Sequence, residues 1–437
     1  MFVPDSTIYE FDEYRLAPSQ GLYRSGQYVP LPPKELAVLC ALIARRGTIV
    51  SKEQLIAEVW PHDYTSNESL TRCIYVLRRT IDAVGRSSVI QTVHRRGYRF
   101  AAVLKVSESR FGVGGGATTE NQRLAIDQCR LGFGRLGYCN RGDIEQAVVC
   151  FEKALRLDEY CGLAYAGLGE TTILQAGHGW IGVSDAREML RGMADMGRSV
   201  APDSGEVLAI SATVAAMFEW DWARAEREAV QAEKLCDDYK GPLARGLIAY
   251  CRSRTKEAVD HLSRAVEIAP YVPHCRSMYT LALLNHGSID AALVHARDAA
   301  RILPSVTHAF RDYATAAVLA GRTEEALSAA ERAAQLADRE PHVLATLVSA
   351  LYESGDKSKA CETYAEVLRR GNEQRIVWSY IAPEVLLIEG RGRCLEALET
   401  AVAERCCLLP VKMLDPRLQA LADEPRYQAV VRAVHGE

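Results

Sequence analysis

Seven arginines, Arg72, Arg78, Arg79, Arg86, Arg95, Arg96 and Arg99, fall between positions 72 and 99 against a single acid, Asp82. A guanidinium holds its charge at physiological pH and presents N–H donors in a planar fork, which matches phosphate oxygens and the paired acceptors on a guanine edge. Thr71, Arg72, Tyr75, Arg78 and Arg79 share one face of a helical stretch, so hydroxyl donors stand among the guanidinium groups. The charge excess is local. Residues 1–105 hold 14 Lys+Arg against 10 Asp+Glu, whereas the remainder holds 38 against 46 within an overall net charge of -4. A polyanion suits the first quarter of the chain, and the acidic balance of the rest argues against a second nucleic-acid surface.

The elements that position these groups can be read from periodicity. From Ile8 to Leu31 short runs alternate apolar and polar residues between turn-forming residues, which predicts an antiparallel meander. Leu36, Leu39, Cys40 and Ile43 then follow a helical period, with Pro32 and Pro33 at the start and Gly47 beyond the end. Ser51 is an N-cap for a second helix, carrying Leu55, Ile56, Val59 and Trp60, that stops at Pro61. After the polar loop 61–66, Leu70, Ile74, Leu77 and Ile81 form one apolar stripe of a third helix over residues 66–84, opposite the arginine face. Strands over 89–93 and 98–103, joined by the basic turn His94-Arg95-Arg96-Gly97, complete a hairpin. Gly97 supplies the positive φ that such a turn demands.

Residues 110–120 contain Gly112, Gly114, Gly115 and Gly116 and are expected to act as a flexible linker. No Lys-Ser/Thr follows these glycines, which sets aside a phosphate-cradling loop. Beyond it the chain is helical in pattern with a 34-residue period. One register runs Ala258, Ala292, Ala326, Ala360; a second runs Leu262, Ala296, Ala330, Tyr364, Leu398; a third runs Ala265, Ala299, Ala333, Val367, Ala401. Gly287, Gly321 and Gly355 recur in the turns within hairpins, and an insertion at 177–184 interrupts the less regular early copies. Small residues in register let paired helices pack closely, so seven or eight helical hairpins of tetratricopeptide (TPR) type are expected to stack into a superhelix with a concave binding surface.

Enzymatic readings find no support. No H-E-x-x-H, G-x-S-x-G or G-x-x-x-x-G-K-[ST] pattern occurs. His261, His274, His286, His295 and His308 fall on several hairpins and read as surface or packing groups, so no metal or cofactor is expected. The 13 cysteines include no C-x-x-C pair and read as small buried hydrophobes; Cys129, Cys139, Cys150 and Cys161, and the vicinal Cys406 and Cys407, are the alternative oxidant-sensing sets. With neither a basic-then-apolar N-terminus nor a membrane-spanning run, a cytoplasmic location and no membrane partner are expected.

The run LPPKELAVLCALIARRGTIVSKEQLIAEVWPHDY, followed by ESLTRCIYVLRRTID and VIQTVHRRGYRF, resembles the OmpR/PhoB-type winged-helix DNA-binding domain over residues 8–103. The resemblance implies that the third helix enters the major groove of promoter DNA and the hairpin, as its wing, reaches the minor groove or backbone. By position, Thr71, Arg72, Tyr75, Arg78 and Arg79 then face DNA from the helix, and His94, Arg95, Arg96 and Tyr98 from the wing. The preceding loop is the stretch through which that family reaches RNA polymerase, which implies His62, Asp63 and Tyr64 as contacts. Because the winged helix starts within about eight residues of Met1, control without a phospho-receiver domain is expected, and an N-terminal winged helix followed by TPRs is similar to HilA-type one-component regulators; streptomycete antibiotic regulators, which join this winged helix to TPR-like helices in a shorter activation domain, are a second relative. The expected architecture is mainly α: a winged-helix (α+β) domain over 1–105, a linker over 106–120, and a TPR superhelix over 121–437 that takes an effector, peptide or protein on its concave surface and can self-associate. The expected function is a DNA-binding transcription regulator, an activator, and not an enzyme. The alternative is a TPR scaffold whose winged helix docks proteins rather than DNA.

Overall fold

A computed structural model of the chain describes residues 7–17, 21–24, 27–29, 31, 33–60, 67–82, 89–93, 96–108, 119–136, 140–236, 238–270 and 272–436. Two compact units result, Met1–Thr118 and Thr119–Glu437. In the first, strands β1 (Thr7–Phe11), β2 (Tyr14–Ala17), β3 (Gly21–Arg24) and β4 (Gln27–Val29) form the meander that alternation predicts. Helices α1 (Pro33–Ala44), α2 (Lys52–Val59) and α3 (Asn67–Ile81) follow, then the hairpin β5 (Ile90–Val93) and β6 (Gly97–Phe100) and a last strand β7 (Lys105–Glu108).

The sheet order is β4-β3-β2-β1-β7, with all neighbours antiparallel. Strand β7 begins at the last residue of the expected winged-helix domain and runs into the stretch expected to be linker. Its sequence, Lys-Val-Ser-Glu, has one apolar residue among four and no local signal of its own; its partner β1 supplies the ladder, including the opposite charges of Glu10 and Lys105 as direct neighbours. The glycine-rich residues 109–118 lie outside the described set.

The three helices and the sheet close over one core, in which Phe11 meets Phe100 edge-on at 5.2 Å and Leu39, Leu55, Leu70 and Leu77 are fully buried. Ser51 caps α2 as its sequence suggests: its side chain accepts from Gln54 N while the Gln54 side chain accepts from Ser51 N.

The second unit begins with α4 (Glu120–Leu136), α5 (Arg141–Leu157), α6 (Gly162–Gly177), α7 (Val183–Val200), α8 (Gly205–Val214), α9 (Trp222–Leu235), α10 (Lys240–Cys251) and α11 (Thr255–Ile268). It continues with α12 (Pro273–Asn285), α13 (Ile289–Ile302), α14 (Thr307–Leu319), α15 (Thr323–Leu336), α16 (Pro341–Glu353), α17 (Lys357–Gln374), α18 (Trp378–Ile388) and α19 (Arg391–Ala403). Consecutive helices from α4 to α19 pair as hairpins, and the first members of successive hairpins also touch one another, which is the stacking of a TPR array. Every residue of the three 34-residue registers is buried. Gly287, Gly321 and Gly355 each end a helix with φ of 83°, 66° and 89°, the left-handed conformation that a residue with a Cβ adopts only under strain.

The two helices of a hairpin differ in a way that explains their sequences. Helix α13 buries one stripe, Ala292, Leu293, Ala296, Ala299 and Ala300, whereas α16 is buried from His342 to Leu351 without a break. An element buried on all sides has neighbours on all sides. Part of that cover is the end of the chain: α20 (Leu409–Lys412), a short 3-10 turn over Pro416–Leu421, and α21 (Pro425–His435).

This C-terminal segment reaches helices far away in sequence. Lys412 Nζ lies 4.0 Å from the ring centre of Tyr380 in α18, and Arg417 donates to Ser349 of α16 and Glu384 of α18, both at 2.8 Å. Trp222 of α9 donates to Val434 O at 2.8 Å. The inner helices expected to present a concave surface thus carry the chain's own tail over part of their length. Of the cysteine sets, Cys129 and Cys161 come together with 3.7 Å between sulfur atoms, both buried; Cys150 is half-buried, and Cys139 lies outside the described residues.

Candidate nucleic-acid interface

Helix α3 is the centre of the site. Leu70, Cys73, Ile74, Leu77 and Ile81 are its buried stripe, and the opposite face leaves Thr71, Arg72, Tyr75 and Arg79 exposed to solvent. Tyr75 is 62% exposed, a large aromatic side chain on a face that the fold does not cover. Among the described residues, no ion pair or side-chain hydrogen bond engages the guanidinium of Arg72 or Arg79. The cost of ordering these long side chains is therefore not already met by internal contacts, and their donors are available to a ligand.

The rod that carries them is held at its C-terminal end. Tyr14 Oη donates to Thr80 O at 2.8 Å from the sheet side, and Asp82 accepts from Val89 N at 2.8 Å where the chain enters the wing. Between these, Arg78 donates from Nε and Nη2 to Ile90 O at 2.9 and 2.7 Å, and from Nη2 to Thr92 Oγ1 at 2.8 Å. Arg78 is half-buried and turned toward β5, so the structure makes it a brace between helix and wing rather than an outward contact. Helical spacing alone cannot separate Arg78 from Arg79; only the position of the hairpin does.

The wing shows the same division. Arg96 is exposed at its turn, where its N–H donates to Val93 O at 2.9 Å. His94 and Arg95 lie outside the described residues, as do His62, Asp63 and Tyr64 of the loop before α3. Tyr98, expected at the DNA surface, is only 5% exposed and belongs to the core. The reason is the period of a strand: Tyr98 and Phe100 share the inner face of β6, and Arg99, between them, takes the other and donates to Gln91 at 2.7 Å.

Backbone bonds Val50 N to Tyr98 O at 2.8 Å and Tyr98 N to Val50 O at 2.9 Å fasten the base of the wing to the segment before α2. A Cβ on Gly97 would stand 2.0 Å from Val50 O, so glycine is needed here for close backbone approach as well as for its φ of 129°. Sequence reasoning identified the turn but not this contact.

Comparison with known proteins matches residues 26–100 to the family described as "Transcriptional regulatory protein, C terminal", and residues 138–161 to the tetratricopeptide repeat. The transcriptional regulator HilA of Salmonella typhimurium is 44% identical over 90 residues, which is 21% of this chain and 16% of that protein. The transcriptional regulatory protein AfsQ1 of Streptomyces coelicolor is 37% identical over 78 residues, 17% of this chain and 35% of that one. The DNA-binding domain of E. coli CadC aligns with 24% of this chain and 98% of its own at 24% identity and a TM-score of 0.22. The matched region thus spans well under half of the curated relatives. The chain carries an OmpR/PhoB-type winged-helix domain at its N-terminus, followed by a tetratricopeptide-repeat region.

Proposed function

We infer that this chain is a one-component transcription regulator that binds promoter DNA sequence-specifically, with α3 in the major groove and the β5-β6 wing beside it. The observation that carries the reading is the exposed set Thr71, Arg72, Tyr75 and Arg79 on the uncovered face of a helix fixed at its far end, with Arg96 at the turn of the adjoining wing. Arginine at such positions clamps phosphate or reads guanine; threonine and tyrosine add backbone contacts. His94 and Arg95 complete the wing contacts in this reading, and Arg78 and Tyr98 support the surface from within.

The regulator acts as an activator, with His62, Asp63 and Tyr64 meeting RNA polymerase. The repeat unit takes a protein or peptide partner, or a small effector, and supports self-association. Because the C-terminal segment covers part of the inner helices, a concave-face partner must displace that segment or use the helices it leaves bare. Such a regulator works in the cytoplasm, and no helix among the described residues is long and apolar enough to cross a membrane.

Mapping of genome-wide bound sites for the full chain, for the Arg72→Ala/Arg79→Ala double variant and for a form lacking residues 120–437 tests targeting and regulation together. Discrete sites that vanish in the double variant support the reading. Sites unchanged in that variant, or association only through other proteins, would make the N-terminal domain a protein-docking module instead.

A further inference from the structure

His274, His308 and His342 stand at successive 34-residue intervals, each the second residue of its helix, α12, α14 and α16. The insertion at 177–184 carries a further imidazole, His178, to the last two of them. One ring nitrogen from each of His178, His308 and His342 lies within 4.8 Å of the other two. Nε2 of His178 is 3.3 Å from Nε2 of His308, and the His342 ring centre is 4.7 Å from that of His178. Trp180 stacks on His178 at 4.7 Å and helps to wall the group off.

We propose that His178, His308 and His342 form a binding site for one divalent transition-metal ion of the zinc type. A tetrahedral ion with Zn–N bonds of about 2.0–2.1 Å separates its ligands by about 3.3–3.4 Å, the spacing already present between His178 and His308. The His342 nitrogen lies within 4.8 Å of the other two, so closing the ligand face asks it to move by no more than about 1.5 Å. A set made only of imidazole suits zinc, cobalt, nickel or copper and not the oxygen-seeking calcium or magnesium.

The surroundings prepare the nitrogens. His342 Nδ1 lies 3.3 Å from a Glu340 carboxylate oxygen, and a carboxylate against one ring nitrogen is the orienting arrangement found behind ligating histidines. Burial favours the neutral form that a metal requires in all three imidazoles: His178 is pushed down to about 4, and His308 and His342 are pushed well below the ordinary histidine value. Cationic groups face the cluster from neighbouring helices, namely Arg311, Lys412 and, in its protonated form, His274. Arg311 is paired with Asp312 at 2.6 Å, and Asp415 faces Lys412. The ion would link segments 130 residues apart, and its fourth position is left for water or an effector donor. Counting histidines hairpin by hairpin hides the site, because it joins two residues in one repeat register to a third from an insertion much earlier.

The inference stands apart from the DNA-binding reading, and its test uses the full chain after chelation. Titration with cobalt(II), a spectroscopic substitute for zinc, is expected to reach a plateau at one equivalent, with visible d–d bands and no thiolate charge-transfer band. Zinc is expected to displace the cobalt and to raise the melting temperature of the repeat unit. His178→Gln, which alters a half-buried side chain, His308→Gln and His342→Gln are each expected to lose the tight equivalent while keeping the far-ultraviolet dichroism of the parent; His286→Gln is expected to keep it. The absence of saturable binding, retention of binding in the three variants, or a thiolate signature placing the ion on cysteine would overturn the proposal. If His308→Gln or His342→Gln unfolds, the His178→Gln titration decides.

Discussion

Arg78 donates from Nε and Nη2 to the carbonyl oxygen of Ile90, at 2.9 and 2.7 Å, and so fastens the helix that presents the basic face to the first strand of the wing. Charge-assisted bonds of this kind contribute about 1.5–3 kcal/mol when they replace water. Arg78→Ala is expected to destabilise the N-terminal unit by that amount in urea unfolding and to weaken DNA binding through loss of wing position. Arg78→Lys, which reaches one acceptor but cannot fork, is expected to fall between. Unchanged stability in both variants would show that the brace is dispensable.

The outward residues should behave in the opposite way. Arg72→Ala and Arg79→Ala are expected to leave the unfolding midpoint within about 0.5 kcal/mol of the parent, as for surface sites without partners. Each should cost about 1–3 kcal/mol of binding to promoter DNA if it reads a base, or flatten the salt dependence by about one unit of slope if it clamps a phosphate. Fluorescence anisotropy with labelled duplex separates the two outcomes.

Gly97→Ala is expected to lower stability by about 1–3 kcal/mol, the range for overpacking or a strained backbone, since its Cβ would meet the Val50 carbonyl oxygen at 2.0 Å. Tyr98→Phe, which keeps the buried ring, is expected to bind DNA as the parent does. A selective loss of binding in Tyr98→Phe would return its hydroxyl to the interface.

Much of the fold that carries this surface was legible in the sequence because it follows from period. The stripe Leu70, Ile74, Leu77 and Ile81 is buried as spaced, and the Ser51 cap and the 34-residue registers sit where small or capping residues are required. What escaped reading depends on partners distant in sequence. Arg78 is an exposed-type residue until β5 is placed beside it, and Tyr98 is a wing residue until strand alternation turns it toward Phe100. Strand β7 exists because β1 offers an edge, and the covering of α16 depends on a tail some 70 residues later.

That tail gives a further test. Arg417 bonds to Asp415 at 2.7 Å and to the buried Glu384 at 2.8 Å, with Ser349 completing its partners. Removing one member of a buried charge group leaves the others uncompensated, at a cost of about 3–5 kcal/mol. Arg417→Ala is expected to destabilise the repeat unit by about that amount, and Arg417→Ala/Glu384→Gln to recover part of it. A double variant whose loss equals the sum of the two single losses would show no coupling between tail and inner helices.

Acid should loosen the repeat unit early. Burial, with Arg276 adding to it, pushes His295 down to about 4 from an ordinary 6.5, and burial with Arg311 does the same to His274. Between those values the unfolded chain binds more protons than the folded one, so stability present above pH 6.5 is lost progressively as pH falls toward 4. At about 1.4 kcal/mol per unit, each histidine contributes up to about 3 kcal/mol to that loss. Urea midpoints measured from pH 7 to pH 5 are expected to fall, less steeply in His295→Gln; a flat profile would contradict the burial of these imidazoles.

The central claim, that cationic side chains on α3 and its wing meet a nucleic-acid backbone, is tested most directly by the affinity of the full chain for its promoter duplex as a function of salt. Neutralising Z phosphates gives log K falling against log salt with a slope near -0.9Z. We expect a steep negative slope that Arg79→Ala reduces by about one unit. An affinity insensitive to salt, or Arg72→Ala and Arg79→Ala variants that keep both the affinity and the slope of the parent, would contradict the account.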